Sequence, residues 1–444
     1  MKRFVNITSL LLALVLMMSA VSCAAPNGAL MGGGYGGFAT GDGMASGGEA
    51  SSGSPSEKGE DSSEGGETTE NPNNQNVRLP AGMITAGAWM DNDNYQLWLE
   101  LFEQTSEDNG KDVIGKFNHF LNEKNSWGFN SLNRVKVSVK CEDKAVAGAK
   151  VIAKDKEGNV LFAAISDAQG NAYLFVSEEE GVVEVTSGEG AATAEFTLDS
   201  RELDVVLEQK DEKLNVIEIM FVVDVTGSMG DEISFLQAEI DDIIKRIASN
   251  DTNTEIKLAF LFYRDNGDSE KFAEYGFCDA TDFSDMQAML AILNKQNAKG
   301  GGDTPEAVDE ALERAVSAQW STGNTTKLIF HVLDAPAHSR DEYKVRFNKA
   351  VNVAAEMGIR ICPVLCSGAD QLTEYTMREA ALHTGGTFIF VTDDSGIGNP
   401  HHDPELPNVT VELLNSMIVR LVNGYHTGTF EDPIYWKQDP NLAK

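Results

Sequence analysis

Between residues 214 and 425 the apolar positions gather into short unbroken runs, at 216–223, 256–262, 328–333, 359–365 and 387–391. Runs of this length without polar alternation read as strands buried on both faces. The stretches between them, 229–248, 284–295, 305–319, 340–357 and 371–383, and a last one at 409–422, carry apolar residues at helical spacing. Strands alternating with helices predict an α/β fold with a doubly wound, mostly parallel sheet. In such sheets ligands bind outside the carboxyl ends of the strands.

The pattern upstream is different. In 134–209, Val135, Val137 and Val139 alternate with Lys136, Ser138 and Lys140, and turn signals recur at 155–159, 167–170 and 180–181. This spacing predicts a small antiparallel β-sandwich. The runs 146–151 and 166–172 resemble carboxypeptidase-regulatory and bacterial Ig-like modules, which serve as spacers. Residues 77–133 hold Trp89, Tyr95, Trp98 and Phe102, then Ile114, Phe117, Phe120 and Leu121 at helical spacing. They predict a helical segment, an apolar helical pair packed on the next domain, rather than an aromatic platform for carbohydrate. Residues 426–444 form a C-terminal tail.

The first 22 residues read as a signal peptide: Lys2 and Arg3, an apolar run at 10–18, then small residues before Cys23. A cysteine directly after Ala20-Val21-Ser22 resembles the lipobox of bacterial lipoproteins. That resemblance implies cleavage before Cys23, a lipid on its sulfur and an exported, membrane-anchored protein at the cell surface or in the periplasm. Residues 23–76 are rich in Gly, Ser, Asn and Glu and lack core-forming residues, so they read as a disordered tether. As a random coil it would span roughly 40 Å.

The formal charge of −34 argues against a nucleic-acid partner, which needs clustered positive charge. Cys141, Cys278, Cys362 and Cys366 show no zinc spacing and read mostly as buried thiols.

Candidate chemistry sits at three strand ends. The first strand runs into Asp224-Val225-Thr226-Gly227-Ser228, the third into Leu333-Asp334, and a loop Gly300-Gly301-Gly302-Asp303-Thr304-Pro305-Glu306 precedes a helix. Alternate residues Asp224, Thr226 and Ser228 can turn three oxygens toward one point. Carboxylates and hydroxyls without a thiol or imidazole cluster favour Mg²⁺ or Ca²⁺ over zinc. Asp265, after the second strand, lies at the same rim, where it could shape partner choice or hold a second cation; a charged hairpin turn is the plainer reading. Asp303 is a second rim residue. His401 and His402 follow the last strand, and His331 reads as a core histidine.

The set Asp224-x-Thr226-x-Ser228, Thr304 and Asp334 resembles the metal-ion-dependent adhesion site of von Willebrand factor type A domains. The resemblance covers 214–425 and implies a Rossmann-like domain. Thr226, Ser228 and Thr304 would face Mg²⁺ (or Mn²⁺ or Ca²⁺), and Asp224 and Asp334 would hold it largely through water. The family more often has Ser where Thr226 stands, and both supply a hydroxyl. The expectation is a non-enzymatic surface protein whose metal captures an Asp or Glu side chain of a protein partner. One alternative is a serine hydrolase using Ser228, Asp334 and His383, since Thr226-x-Ser228-x-Gly230 joins a strand to a helix. That elbow wants Gly where Thr226 stands. Another is a structural surface component in which the metal only stabilises.

Overall fold

The computed structural model describes residues 82–106, 112–250, 253–302, 304–395 and 404–442. The export signal, Cys23, the tether, Asp303, His401 and His402 lie outside the described residues.

In chain order, β1 (Thr85–Trp89), α1 (Tyr95–Glu100), β2 (Gln104–Ser106) and β3 (Asp112–Ile114) come first. Next are the eight strands β4 (Arg134–Cys141), β5 (Lys144–Ala145), β6 (Lys150–Lys154), β7 (Val160–Ile165), β8 (Asn171–Phe175), β9 (Glu180–Ser187), β10 (Gly190–Thr197) and β11 (Glu202–Val206). The large domain then runs β12 (Val216–Asp224), α2 (Gly230–Asn250), β13 (Glu255–Tyr263), β14 (Phe272–Asp279), α3 (Phe283–Leu293) and α4 (Val308–Val316). It continues with β15 (Thr326–Leu333), α5 (Asp341–Met357), β16 (Ile359–Leu365), α6 (Gln371–Thr384), β17 (Phe388–Thr392), β18 (Glu412–Leu413) and α7 (Leu414–Thr427).

The large sheet has the order β14-β13-β12-β15-β16-β17-β1-β18. Its inner strands β13, β12, β15, β16 and β17 are parallel and match the expected apolar runs. Alternation along β12 explains the double winding. Ile217, Ile219, Phe221 and Val223 enter one core with α2, α3 and α7, whereas Met220 and Val222 enter the other with α4, α5 and α6. A strand with both faces covered needs apolar residues at every position, which is what made these runs legible.

Two outer strands depart from expectation. β14 returns antiparallel beside β13 after a hairpin turn. β1 pairs antiparallel with β17 and β18, so residues upstream of 214 complete the sheet. The helical segment expected over 77–133 is therefore corrected: its described part holds β1, the six-residue α1, the β2–β3 hairpin and a short 3-10 turn at Asn118–Leu121. Tertiary packing overrides the helical spacing here. Phe117 and Phe120 are buried, but Ile114 and Leu121 face solvent. Phe102, Phe117 and Phe120 close around Tyr375 of α6, with Phe120 stacked on it at 4.0 Å, and Trp98 packs edge-on against Phe102 and Phe117. These rings are buried and offer no carbohydrate platform. Beside them Arg378, also on α6, is wholly buried and forks onto Asp91 at 2.6 and 3.0 Å and onto Glu374 at 2.9 Å.

The eight strands β4 to β11 form two small sheets, β10-β9-β6-β7 and β11-β4-β5 with β8 on β4. One pairing corrects the expected all-antiparallel sandwich: β11 runs parallel to β4, Glu202 opposite Lys136. Val135, Val137 and Val139 point into a core shared with α5 and α6. All four cysteines among the described residues are free thiols. No helix among the described residues is long and apolar enough to cross a membrane.

Candidate metal centre

Asp224 ends β12, and the parallel register Val223↔Val332 places Asp334 one residue beyond its level on the neighbouring β15. The loop after β12 then doubles back on its own acid. Thr226 donates to Asp224 Oδ1 from its amide at 2.9 Å and from its hydroxyl at 2.7 Å. Main-chain bonds stitch the three segments together. Gly227 donates to Gly300 O at 3.2 Å, Lys299 to Val225 O at 3.1 Å and Glu306 to Pro336 O at 3.0 Å. The glycine run has a structural cause: Gly300, Gly301 and Gly302 all have left-handed φ, 81°, 87° and 109°. At Gly301 a side-chain carbon would also press on Glu306 and Thr226.

Asp224, Thr226 and Asp334 are buried, and Ser228 and Thr304 are exposed. Ser228 bonds Asp334 and holds that carboxyl down, against the larger upward push of burial. Asp224 is pushed up to about 7, first by burial and then by the charge of Asp334, with the Thr226 bonds and Arg264 opposing. Asp224 Oδ2 and Asp334 Oδ1 are buried and have no hydrogen-bond partner. Buried polar atoms without partners are rare enough to require a reason, and a site shaped for a cation is one.

These residues fit a hard divalent ion. Two bare carboxylate oxygens stand beside the Ser228 hydroxyl, with the Thr226 hydroxyl on Asp224, while Thr304 is exposed on the glycine loop. Among the described residues no three His, Cys, Asp or Glu side chains gather into a metal cage. An ion here would rest on hydroxyls and water as well as acids, as Mg²⁺ tolerates. When bound it would supply a Lewis acid able to accept one more carboxylate.

Glu306 was not among the expected ligands, yet it lies near enough to feel the charges of Asp224 and Asp334. It is buried, its Oε2 lacks a partner, and it is pushed up to about 9 by burial and by Asp224, Asp265, Asp334 and Asp268. An acid after Thr304-Pro305 at a helix start reads as an ordinary N-terminal helix charge, which concealed it. Asp265 is placed otherwise than an open rim residue. It is buried, its Oδ1 pairs with His338 Nε2 at 2.8 Å, and its amide donates to Asp268 Oδ2 at 3.3 Å. The latter oxygen also accepts from Gly301 N at 3.0 Å, so this hairpin braces the glycine loop.

His383 does not join Ser228 and Asp334. It lies near the carboxyl end of α6, buried and stacked on Phe175 at 4.0 Å, with Nδ1 3.0 Å from Glu379 O. Because α6 runs back to the start of β17, that end is at the opposite edge of the sheet. His331 is a core histidine, as expected: its Nε2 lies 3.1 Å from the Tyr263 hydroxyl, and burial lowers it to about 3.

The family model of the von Willebrand factor A domain matches residues 218–393, from β12 to just past β17. Residues 218–393 have a von Willebrand factor A-like α/β fold. Among curated proteins, an ariadne-like RING finger protein of Acanthamoeba polyphaga mimivirus is 31% identical over 137 residues, 31% of this chain and 13% of that protein. The alpha-protein kinase vwkA of Dictyostelium discoideum is 25% identical over 130 residues, 29% of this chain and 20% of the kinase. The chain thus spans a fifth or less of either relative. Among solved structures, the pilus adhesin SpaC from Lactobacillus rhamnosus GG is similar at 12% identity and a TM-score of 0.32, covering 54% of this chain and 31% of SpaC. In the present chain Asp224 and Asp334 stand at the carboxyl ends of neighbouring parallel strands, and Thr226 and Ser228 lie on the loop that follows the first of them.

Proposed function

We propose that the von Willebrand factor A domain binds one divalent cation, Mg²⁺ in the first instance, and uses it to capture an Asp or Glu side chain of a protein partner. Asp224, Thr226, Ser228, Thr304 and Asp334 would hold the ion, with Glu306 as a further buried acid beside them. The observation that carries this reading is the pair of buried, unpartnered oxygens, Asp224 Oδ2 and Asp334 Oδ1, beside the exposed Ser228 that bonds Asp334. With Glu306 lifted to about 9 and so uncharged at neutral pH, the two aspartates neutralise a divalent ion without excess and an external carboxylate is still attracted. The protein would act by binding rather than catalysis, at a bacterial surface, anchored through a lipid on Cys23.

A peptide array in which Asp and Glu alternate with Asn and Gln tests this. Capture should require a divalent ion, prefer the acidic peptides and disappear in Thr304→Ala. Equal capture in a chelator, or of amide and acid peptides alike, would defeat the proposal. Metal that raises the melting temperature without any acidic peptide binding would leave a purely stabilising ion.

A further inference from the structure

At the edge of the large sheet opposite Asp224, where β15 and β16 begin, the domain faces the eight-stranded module across a cavity of about 440 Å³. Volumes of this size hold small organic ligands. Three cations line it: Lys213, Lys327 and Arg360. Lys327 and Arg360 are buried, and Lys213 is half-buried. In a chain of formal charge −34, a carboxylate partner for each would be easy to supply. Instead their donors reach main-chain carbonyls. Lys213 donates to His426 O, Lys327 to Met357 O at 3.3 Å, and Arg360 to Thr384 O at 2.6 Å and Ile165 O at 2.7 Å.

The acids along the same wall are engaged elsewhere or face water. Asp167 accepts from the amides of Gln169 and Asn171 at 2.9 and 2.8 Å. Arg360 still stands near enough to oppose the upward push of burial on that carboxyl. Glu356 is exposed and accepts from Lys150 at 3.2 Å, and Asp211 is exposed. Burial alone brings Lys213 down to about 8, with no acid opposing it. Burial likewise lowers Lys327, against Glu218, whose oxygens already serve Ser321 and Thr325.

We propose that this cavity binds a small, multiply charged oxyanion, its carboxylate or phosphate groups held by Lys213, Lys327 and Arg360. Both lysine ammonium groups keep further donors, and a bond to an oxyanion is roughly twice as strong as one to a neutral carbonyl. The site lies between two modules, where ligand cavities are common. It does not rest on the metal centre.

The test is calorimetric titration of the full chain with inorganic phosphate and, separately, with succinate, in a chelator so that no metal-bound anion contributes. One saturable equivalent of either probe is expected, and the tighter probe names the ligand's chemistry. Lys213→Met and Lys327→Met should each weaken it by about tenfold or more. Asp224→Ala should bind as the wild type, which separates this site from the metal centre. Lys213 is half-buried, so its variant keeps the native melt needed for comparison even where Lys327→Met lowers stability. Absence of saturation with both probes, or unchanged affinity in Lys213→Met, would overturn the proposal.

Discussion

Replacing Asp334 by Asn should stabilise the protein without metal and abolish the stabilisation that metal brings. Without an ion, Asp224 and Asp334 are buried together, and Asp224 is lifted from 3.8 to about 7. A folded value above the unfolded one means that this group's contribution is full below about pH 4 and is lost as pH rises through 7. A shift of that size corresponds to roughly 4 kcal/mol at alkaline pH. Burial is the first cause and Asp334 the second, so the repulsion that the Asn side chain relieves is about 1–2 kcal/mol. For a domain of about 200 residues this raises the melting point by roughly 2–8 °C. With Mg²⁺ at a hundred times its dissociation constant, the wild type gains about 2.7 kcal/mol and the variant nothing, so the order reverses. Thermal melts at pH 8 in chelator and in Mg²⁺ read both effects. A variant less stable than the wild type in chelator, or equally raised by Mg²⁺, would refute the reasoning.

Three further outcomes follow from other parts of the molecule. Asp91→Ala leaves the Arg378 guanidinium buried with Glu374 as its one carboxylate partner and should cost about 3–5 kcal/mol in urea unfolding; a loss below ~1 kcal/mol would show that β1 and α6 are not locked by this pair. Glu379, buried and lifted to about 8, weakens the fold as pH climbs from about 4.5 through 8, so Glu379→Gln should flatten that alkaline loss while its side-chain oxygen still accepts from Ser131. Melts at pH 5 and pH 9 check this, and an unchanged slope would contradict it. Ser228 should resist fluorophosphonate labelling, because His383 lies against Phe175 and cannot activate it; labelling blocked by Ser228→Ala would restore the hydrolase.

The inner strands were legible because each is covered on both faces and so is apolar at every position. The outer ones were not. In Phe272–Asp279 large residues alternate with Glu and Gly on a half-covered edge, and Thr85–Trp89 is mostly small residues that fit against Phe390, where a side chain at Gly87 would collide. The spacing of Ile114, Phe117, Phe120 and Leu121 suggested a helix because periodicity cannot show that Tyr375, far along the chain, takes two of these rings from different directions. The Asp224–Ser228 turn was legible since its oxygen-bearing residues repeat within one loop. Glu306 and the Asp265–His338 pair depend on contacts between separate loops, which local spacing does not encode.

Capture of a carboxylate through a metal requires first that an ion occupy the rim formed by Asp224, Asp334 and their neighbouring hydroxyls. Titrating the chelator-stripped chain with Mn²⁺, followed by electron paramagnetic resonance, measures this directly. One saturable ion per chain should appear, be displaced by Mg²⁺, respond to added acetate at its open position and vanish in Asp224→Ala. No saturable site, or the same site in Asp224→Ala, would contradict it.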